Sequence, residues 1–284
     1  MKHFLLVFIF YVPVLSASSP VWLVESGQNR LFLAGTIHLL RSSDFPLPPA
    51  FSRAYQQSTR LVFETDIDKT QQAAFQARLM SVLRMEPGQQ IKDLISAQTL
   101  ARLETYMHSR QLSLAQFNEF KPSMLAITLT VLELQKLGIG SPGVDEFFFE
   151  RAKRDHKPVL ALESVEQQIE FLASMGDGQE DLMIQQTLEE IETLPEQFPL
   201  MVKSWREGNS NELETLFIEP MKLEFKDLYE RLLVERNLNW LPQLMRFLDS
   251  PETEIVLVGS AHLVGEDGLI KLLEKAGYSV TQVD

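Results

Sequence analysis

Short apolar runs of strand length occur near the start, in the middle and at the end of the chain, and longer helical patterns separate them. Val21–Val24 and Arg30–Ala34 flank Gly27, Gln28 and Asn29, a spacing that predicts a β-hairpin. Arg60–Phe63, Pro158–Leu162, Ile255–Val258 and Tyr278–Val283 are further runs of β-branched and apolar residues, predicted as strands. Pro46, Pro48 and Pro49 open a helix that runs to about Gln57. Residues 70–136 read as helical, and the segment from Met124 to Leu137 has so few polar positions that it is expected to be buried. Val144–Asp155 is a further predicted helix. Ser164 with Gln167 three residues on is a capping box that starts another. Residues 180–248 are again helical, and a helix over Asp267–Lys275 stops at Gly277. The pattern predicts an α/β fold. One mixed-sheet core, spanning residues 18–284, carries large helical insertions at about 70–140 and 180–250.

The first residues have a different character. Lys2 and His3 precede the apolar run Phe4–Leu15, and Ser16, Ala17 and Ser18 follow it. A basic start, a short apolar stretch and a small-residue exit predict a signal peptide over residues 1–17, hence a periplasmic or secreted protein. The run falls short of the roughly 20 apolar residues of a membrane span. No later run reaches that length, so no stable span is expected once the signal is cleaved.

Composition narrows the chemistry. With 45% hydrophobic and 23% charged residues in 284 positions, the chain can bury a sizeable core, and disorder is excluded. A net charge of −13 provides no basic footprint for phosphates, which argues against a nucleic-acid partner. The absence of cysteine excludes disulfides, thiolate metal sites and a cysteine nucleophile.

One internal similarity points to a site. Leu31–Leu39 and Ile255–Leu263 are both apolar strands that run into Gly-x-x-His-Leu, ending in His38 and His262. Two other strands end in Glu64 and Glu163. Ligands of open α/β sheets collect beyond the carboxyl ends of the strands. If these strands are neighbours, two imidazoles and two carboxylates meet at one edge. That is a plausible donor set for a divalent transition metal such as Zn, Mn, Co or Fe, with a spare carboxylate as general base. Each residue taken singly fits a structural role, and it is the matched pair of histidines that points to chemistry. His108 and His156 lack such a context. Gly259-Ser260-Ala261-His262-Leu263 is no nucleophile elbow, and neither His-Glu-x-x-His nor a phosphate loop occurs. Lys222–Trp240 reads mainly as packing, with a substrate-holding role for Arg236 as the minority reading. The metal reading has a geometric requirement: two imidazoles more than about 10 Å apart could not share one ion at bonds of about 2 Å.

Taken together, Leu33–Leu40 with Asp44–Pro48, Val62–Asp66, Gly143-Val144-Asp145, Pro158–Gln167, Glu235-Arg236-Asn237 and Val258–Gly268 resemble the TraB/GumN family, which is related to the Tiki proteases. The resemblance spans nearly the whole chain in family order. It implies an α/β core with paired Gly-x-x-His units and a metal-dependent hydrolase, most simply a peptidase acting on a peptide or protein. By the same resemblance His38, Glu64 and His262 are expected on the metal, Glu163 as general base and Arg236 as electrostatic stabiliser. Asp145 matches a family position without an assigned role. The wider family includes pheromone-shutdown proteins and a haem-binding group. A non-catalytic envelope protein that binds peptide or haem, its ten methionines lining an apolar groove, is therefore the alternative. A structural partner of an envelope or polysaccharide-export system is a third reading.

Overall fold

The structure, a computed structural model, describes residues 19–284; the expected signal peptide lies outside the described residues. The strands are β1 (Val21–Ser26), β2 (Asn29–Thr36), β3 (Leu39–Leu40), β4 (Arg60–Phe63), β5 (Ser141–Pro142), β6 (Val159–Ala161), β7 (Glu254–Gly259) and β8 (Ser279–Gln282). Six of them form one sheet in the order β6-β4-β7-β2-β1-β8, and β3 pairs with β5 apart from it. β6, β4, β7 and β2 are mutually parallel, whereas β1 runs antiparallel to both β2 and β8. The sheet is therefore mixed, as the sequence predicts. The hairpin between β1 and β2 turns at Gly27, whose φ of +60° a side chain would resist.

The parallel half explains the continuous apolar runs. Leu61, Val62 and Phe63 of β4 and Ile255–Val258 of β7 are buried, because helices cover both faces of these central strands. Parallel pairing also sends the carboxyl ends of β2, β4, β6 and β7 to one edge. The repeated motif is not in spatial register. Thr36, not Gly35, pairs with Gly259, and Gly35 pairs with Val258. Successive residues of a strand face opposite sides, so the two motif glycines point to opposite faces of the sheet.

The helices fall within the predicted stretches, although no α-helix covers 83–96 or 110–121 of the stretch read as helical over 70–136, and one burial expectation is corrected. Helix Pro122–Lys136 is not buried all round: Leu132 is 37% exposed, while Glu133 is buried. This helix packs on a satellite core of Ile91, Leu103, Met107, Leu125, Leu129 and Ile184, and its Leu134 reaches the core around the sheet. Glu133 is tolerated inside because Arg110 pairs with it and Tyr106 donates to it at 2.8 Å. The last long helical region contains single π turns at Glu214–Ile218 and Glu230–Val234. The second leads straight into helix Glu235–Leu248, which brings Arg236, Asn237 and Trp240 under the sheet edge. No helix among the described residues is long and apolar enough to cross a membrane.

Candidate functional site

The four residues expected at strand ends do meet. Glu64 follows β4, Glu163 lies two residues beyond β6, His38 two beyond β2, and His262 three beyond β7. A methyl group built on Gly259 would lie 3.3 Å from Glu64 Oε1, 3.7 Å from His262 Cδ2 and 3.9 Å from His38 Nε2. One open point above Gly259 is thus faced by both imidazoles and a carboxylate. The backbone N–H of Gly259 donates to Glu64 Oε1 at 2.7 Å.

The loops that carry the histidines brace each other. Ser260 Oγ donates to the Thr36 carbonyl at 3.1 Å, and Trp205 Nε1 donates to the Gly35 carbonyl at 2.7 Å. A Cβ on Gly35 would sit 2.8 Å from Ser260 Oγ, so glycine there allows the close approach. Gly143 does the same for a third segment. Its N–H and that of Val144 donate to the carbonyls of His38 and Ile37 at 3.0 and 3.1 Å. These contacts satisfy the first N–H groups of helix Val144–Asp155 and bring Asp145 to the histidine loop.

Both imidazoles are held through Nδ1. Asp145 Oδ2 lies 2.9 Å from His38 Nδ1, and Asp145 Oδ1 accepts from Thr36 Oγ1 at 2.8 Å. Asn237 Oδ1 lies 2.8 Å from His262 Nδ1, while Asn237 Nδ2 donates to the carbonyls of His262 and Asp267 at 3.1 and 2.8 Å. The amide nitrogen is committed as a donor, so Oδ1 accepts and the proton is on His262 Nδ1. The Nε2 lone pair of His262 then accepts from Arg236 at 3.1 Å. Neither orienting role was legible in the sequence. Asp145 and Asn237 both lie in segments that resemble the family, and neither segment points to a histidine partner.

Arg236 stands at the centre. It donates to Glu64 Oε2 at 2.6 Å and to both Glu163 oxygens at 2.6 and 3.1 Å. Its guanidinium lies over the rings of Trp240 and Phe171, at 4.7 and 5.9 Å from their centroids. Glu163 also accepts from Gln168 at 3.0 Å. The packing reading of Arg236 therefore describes half of its role, since it ties both strand-end glutamates to one imidazole.

The electrostatics follow from burial and pairing. Burial pushes the His262 pKa down to about 3, so the ring is neutral. Burial alone would raise Glu64. The charges of Arg236 and His38 and the Gly259 N–H act against burial and hold the carboxyl below the usual carboxylate range. The Asp145 charge pushes His38 upward. That ring keeps 68% of its side-chain surface in solvent, which screens the pair.

The donor chemistry suits a divalent transition metal. Both imidazoles have Nδ1 tied to an oxygen, the arrangement that orients ligating histidines, while Nε2 of His262 is engaged by Arg236. Three carboxylates, Glu64, Glu163 and Asp145, share the edge with a single guanidinium, which leaves negative charge for a further cation. Among the described residues no three acidic or histidine side chains are already gathered into a metal-holding group; the Arg236 guanidinium stands among them. Beside it a cleft of about 550 Å³ opens, walled by Glu163, Gln167, Phe171, Arg236, Asn239 and Trp240.

Comparison with known proteins identifies the family of the chain. The chain is 27% identical over 252 residues to uncharacterized protein YbaP of Escherichia coli (strain K12), covering 87% of this chain and 89% of that protein. The YbaP protein of Shigella flexneri is similar to the same extent. No solved structure matches the chain. The sequence model of the TraB/PrgY/gumN family matches residues 20–282, and the chain belongs to that family.

Proposed function

We propose that this chain is an exported, metal-dependent hydrolase acting on peptides or proteins. The observation that carries the reading is the pair of imidazoles, each fixed through Nδ1, that stand with Glu64 around Gly259. His38, Glu64 and His262 would hold the ion, which when bound acidifies a water molecule and polarises a carbonyl. Zn, Mn, Co and Fe all suit imidazole and carboxylate donors.

The remaining residues have roles that follow from their contacts. Asp145 and Asn237 fix the two rings and set their tautomers. Glu163 lies on the wall of the 550 Å³ cleft and is the proton acceptor in this reading. Arg236 holds Glu163 and Glu64 together and presents positive charge at the cleft, where negative charge develops on a carbonyl under attack. Phe171 and Trp240 form the aromatic wall of the cleft on that side.

The test is metal content. Purified protein is expected to hold about one divalent ion per chain, and His38→Ala and His262→Ala are each expected to lose it. Retention of the ion by both variants would falsify the reading. Cleavage of unstructured peptides by metal-loaded protein, absent in Glu163→Gln, then separates a hydrolase from a binder.

A further inference from the structure

A second cavity of about 290 Å³ adjoins the cleft and shares Phe171, Arg231 and Glu235 with it. Its walls are of two kinds. Met175, Met183, Phe225 and Leu228 join Phe171 to make an apolar pocket. Unbranched methionines and partly exposed phenylalanines re-pack around differently shaped apolar groups. The rim is acidic: Asp177, Asp227, Glu230 and Glu235 stand around it with one lining base, Arg231, and Lys121 pairs with Asp177 at 3.6 Å from outside, which leaves three of the acids to set the rim's charge with Arg231.

The separating wall is built, not incidental. Arg231 lies within the π turn Glu230–Val234 and donates to the Ser174 carbonyl at 3.2 Å and to the Ser174 hydroxyl. It thereby ties the π turn to the end of helix Val165–Ser174. Glu235 and Arg236 follow that turn directly, so one short segment lines both cavities. Single π turns are rare and often mark functional sites. Gly176 closes the far side, because a Cβ there would lie 2.5 Å from Met183 Sδ.

We infer that this second cavity is a specificity pocket for a bulky apolar side chain flanked by a basic residue, on a peptide whose neighbouring bond lies in the cleft beside Glu163 and Arg236. The inference rests on the peptide-hydrolase reading and deepens it by naming the substrate class. Two features carry it: the cavity adjoins the cleft across the shared wall of Phe171, Arg231 and Glu235, and its lining complements positive charge. An apolar side chain enters the pocket, and a lysine or arginine next to it meets the carboxylates of the rim. A peptide with an acidic flank is repelled at the same place.

The test reads binding without turnover. Fluorescein-labelled hexapeptides carry Leu, Phe, Met, Ala or Asp at one position, flanked by Lys or by Glu. They are titrated into the purified protein by anisotropy with EDTA present. The Leu, Phe and Met peptides with a Lys flank are expected to bind about tenfold more tightly than the Ala peptide. The Glu flank is expected to remove most of that affinity, and added salt to narrow the gap between flanks. Leu228→Ala should lessen the apolar preference. Asp227→Lys, at an exposed rim position, should reverse the preference between flanks while leaving the melting temperature near that of the unaltered protein. No binding by any peptide, equal binding by all, or flank preferences unchanged in Asp227→Lys would overturn the assignment. The metal-content experiment fails or succeeds independently of this one, so the two failures are distinguishable.

Discussion

Asn237 Oδ1 accepts the Nδ1 proton of His262 at 2.8 Å, and the Asn237 amide nitrogen is spent on two backbone carbonyls. An amide held from three directions cannot flip, so the imidazole cannot change tautomer without breaking the set. Asn237→Leu is expected to lower metal affinity by about 10–100-fold, the usual effect of losing an orienting partner. Asn237→Asp keeps the acceptor for Nδ1 but sets a carboxylate oxygen against the two carbonyls, so it is expected to lower the melting temperature as well. Competition with a chromophoric chelator measures the affinities, and thermal melts the stability. Equal affinity in the Leu variant would mean that the tether does not matter.

Arg236 and a bound cation serve the same carboxylates. Glu64 and Glu163 are largely buried, with 11% and 7% of their side-chain surface exposed. Without metal, Arg236→Met strands both, at a cost of about 3–5 kcal/mol. Added Zn2+ supplies another positive charge and should restore a larger share of stability in this variant than in the unaltered protein. Thermal melts with and without Zn2+ check it, and equal shifts in the two proteins would count against a shared place for the ion.

Two glycines near the site differ in what they tolerate. A Cβ on Gly143 would fall 2.1 Å from the Ile37 carbonyl oxygen, which is backbone and cannot yield. Gly143→Ala is therefore expected to cost about 1–3 kcal/mol in urea unfolding, the range for overpacking, or more. A Cβ on Gly259 meets Glu64 Oε1 at 3.3 Å, a carboxylate that can shift by a few tenths of an ångström. Gly259→Ala should leave stability nearly unchanged and weaken metal binding, because the methyl stands where the donors converge.

The opposite edge of the sheet holds a buried ion pair. Glu254 opens β7 with no exposed surface and accepts from Arg60 Nε at 2.7 Å. Burial pushes its pKa up, with Arg60 opposing. Arg60→Ala leaves that carboxylate unpaired and is expected to cost about 3 kcal/mol at neutral pH. The double variant Arg60→Leu with Glu254→Leu should recover most of the loss, since no charge is then buried. Denaturant unfolding of the three proteins decides it.

Acid stability should depend on Glu133. Burial would raise its pKa, but the hydrogen bonds from Arg110 and Tyr106 and the Arg110 charge outweigh burial, and the folded value lies below the ordinary 4.5. A depressed folded pKa stabilises fully above the unfolded value, and that contribution is lost as pH falls through the folded one. Glu133→Gln is expected to melt well below the unaltered protein at pH 7, with the gap closing toward pH 3. A gap that stays constant over that range would show that Glu133 acts without its charge.

Much of this was readable along the chain, and particular residues show why the rest was not. The hairpin at Gly27, the capping box of Ser164 and Gln167, and the strand ends at His38, Glu64, Glu163 and His262 are local or periodic signals. Such signals are set by φ/ψ preference and by the spacing of apolar residues. Glu133 misled the pattern, because a helix with few polar positions reads as buried all round unless the partner of its one acid is known. Asp145 and Asn237 are ordinary polar residues at the start of helices, with nothing in their neighbourhoods that names a histidine.

Sequence alone determined the elements, the mixed α/β class and the four side chains at the strand ends, because alternation, capping and turn chemistry act over a few residues. Tertiary structure alone decided that β7 lies between β2 and β4, that the paired motifs are offset by one residue, and that Arg236 stands among the acids. Those facts depend on contacts between residues far apart in the chain, which no local propensity encodes. They arise when apolar strands bury one another and the polar groups at their ends must find partners on the same edge.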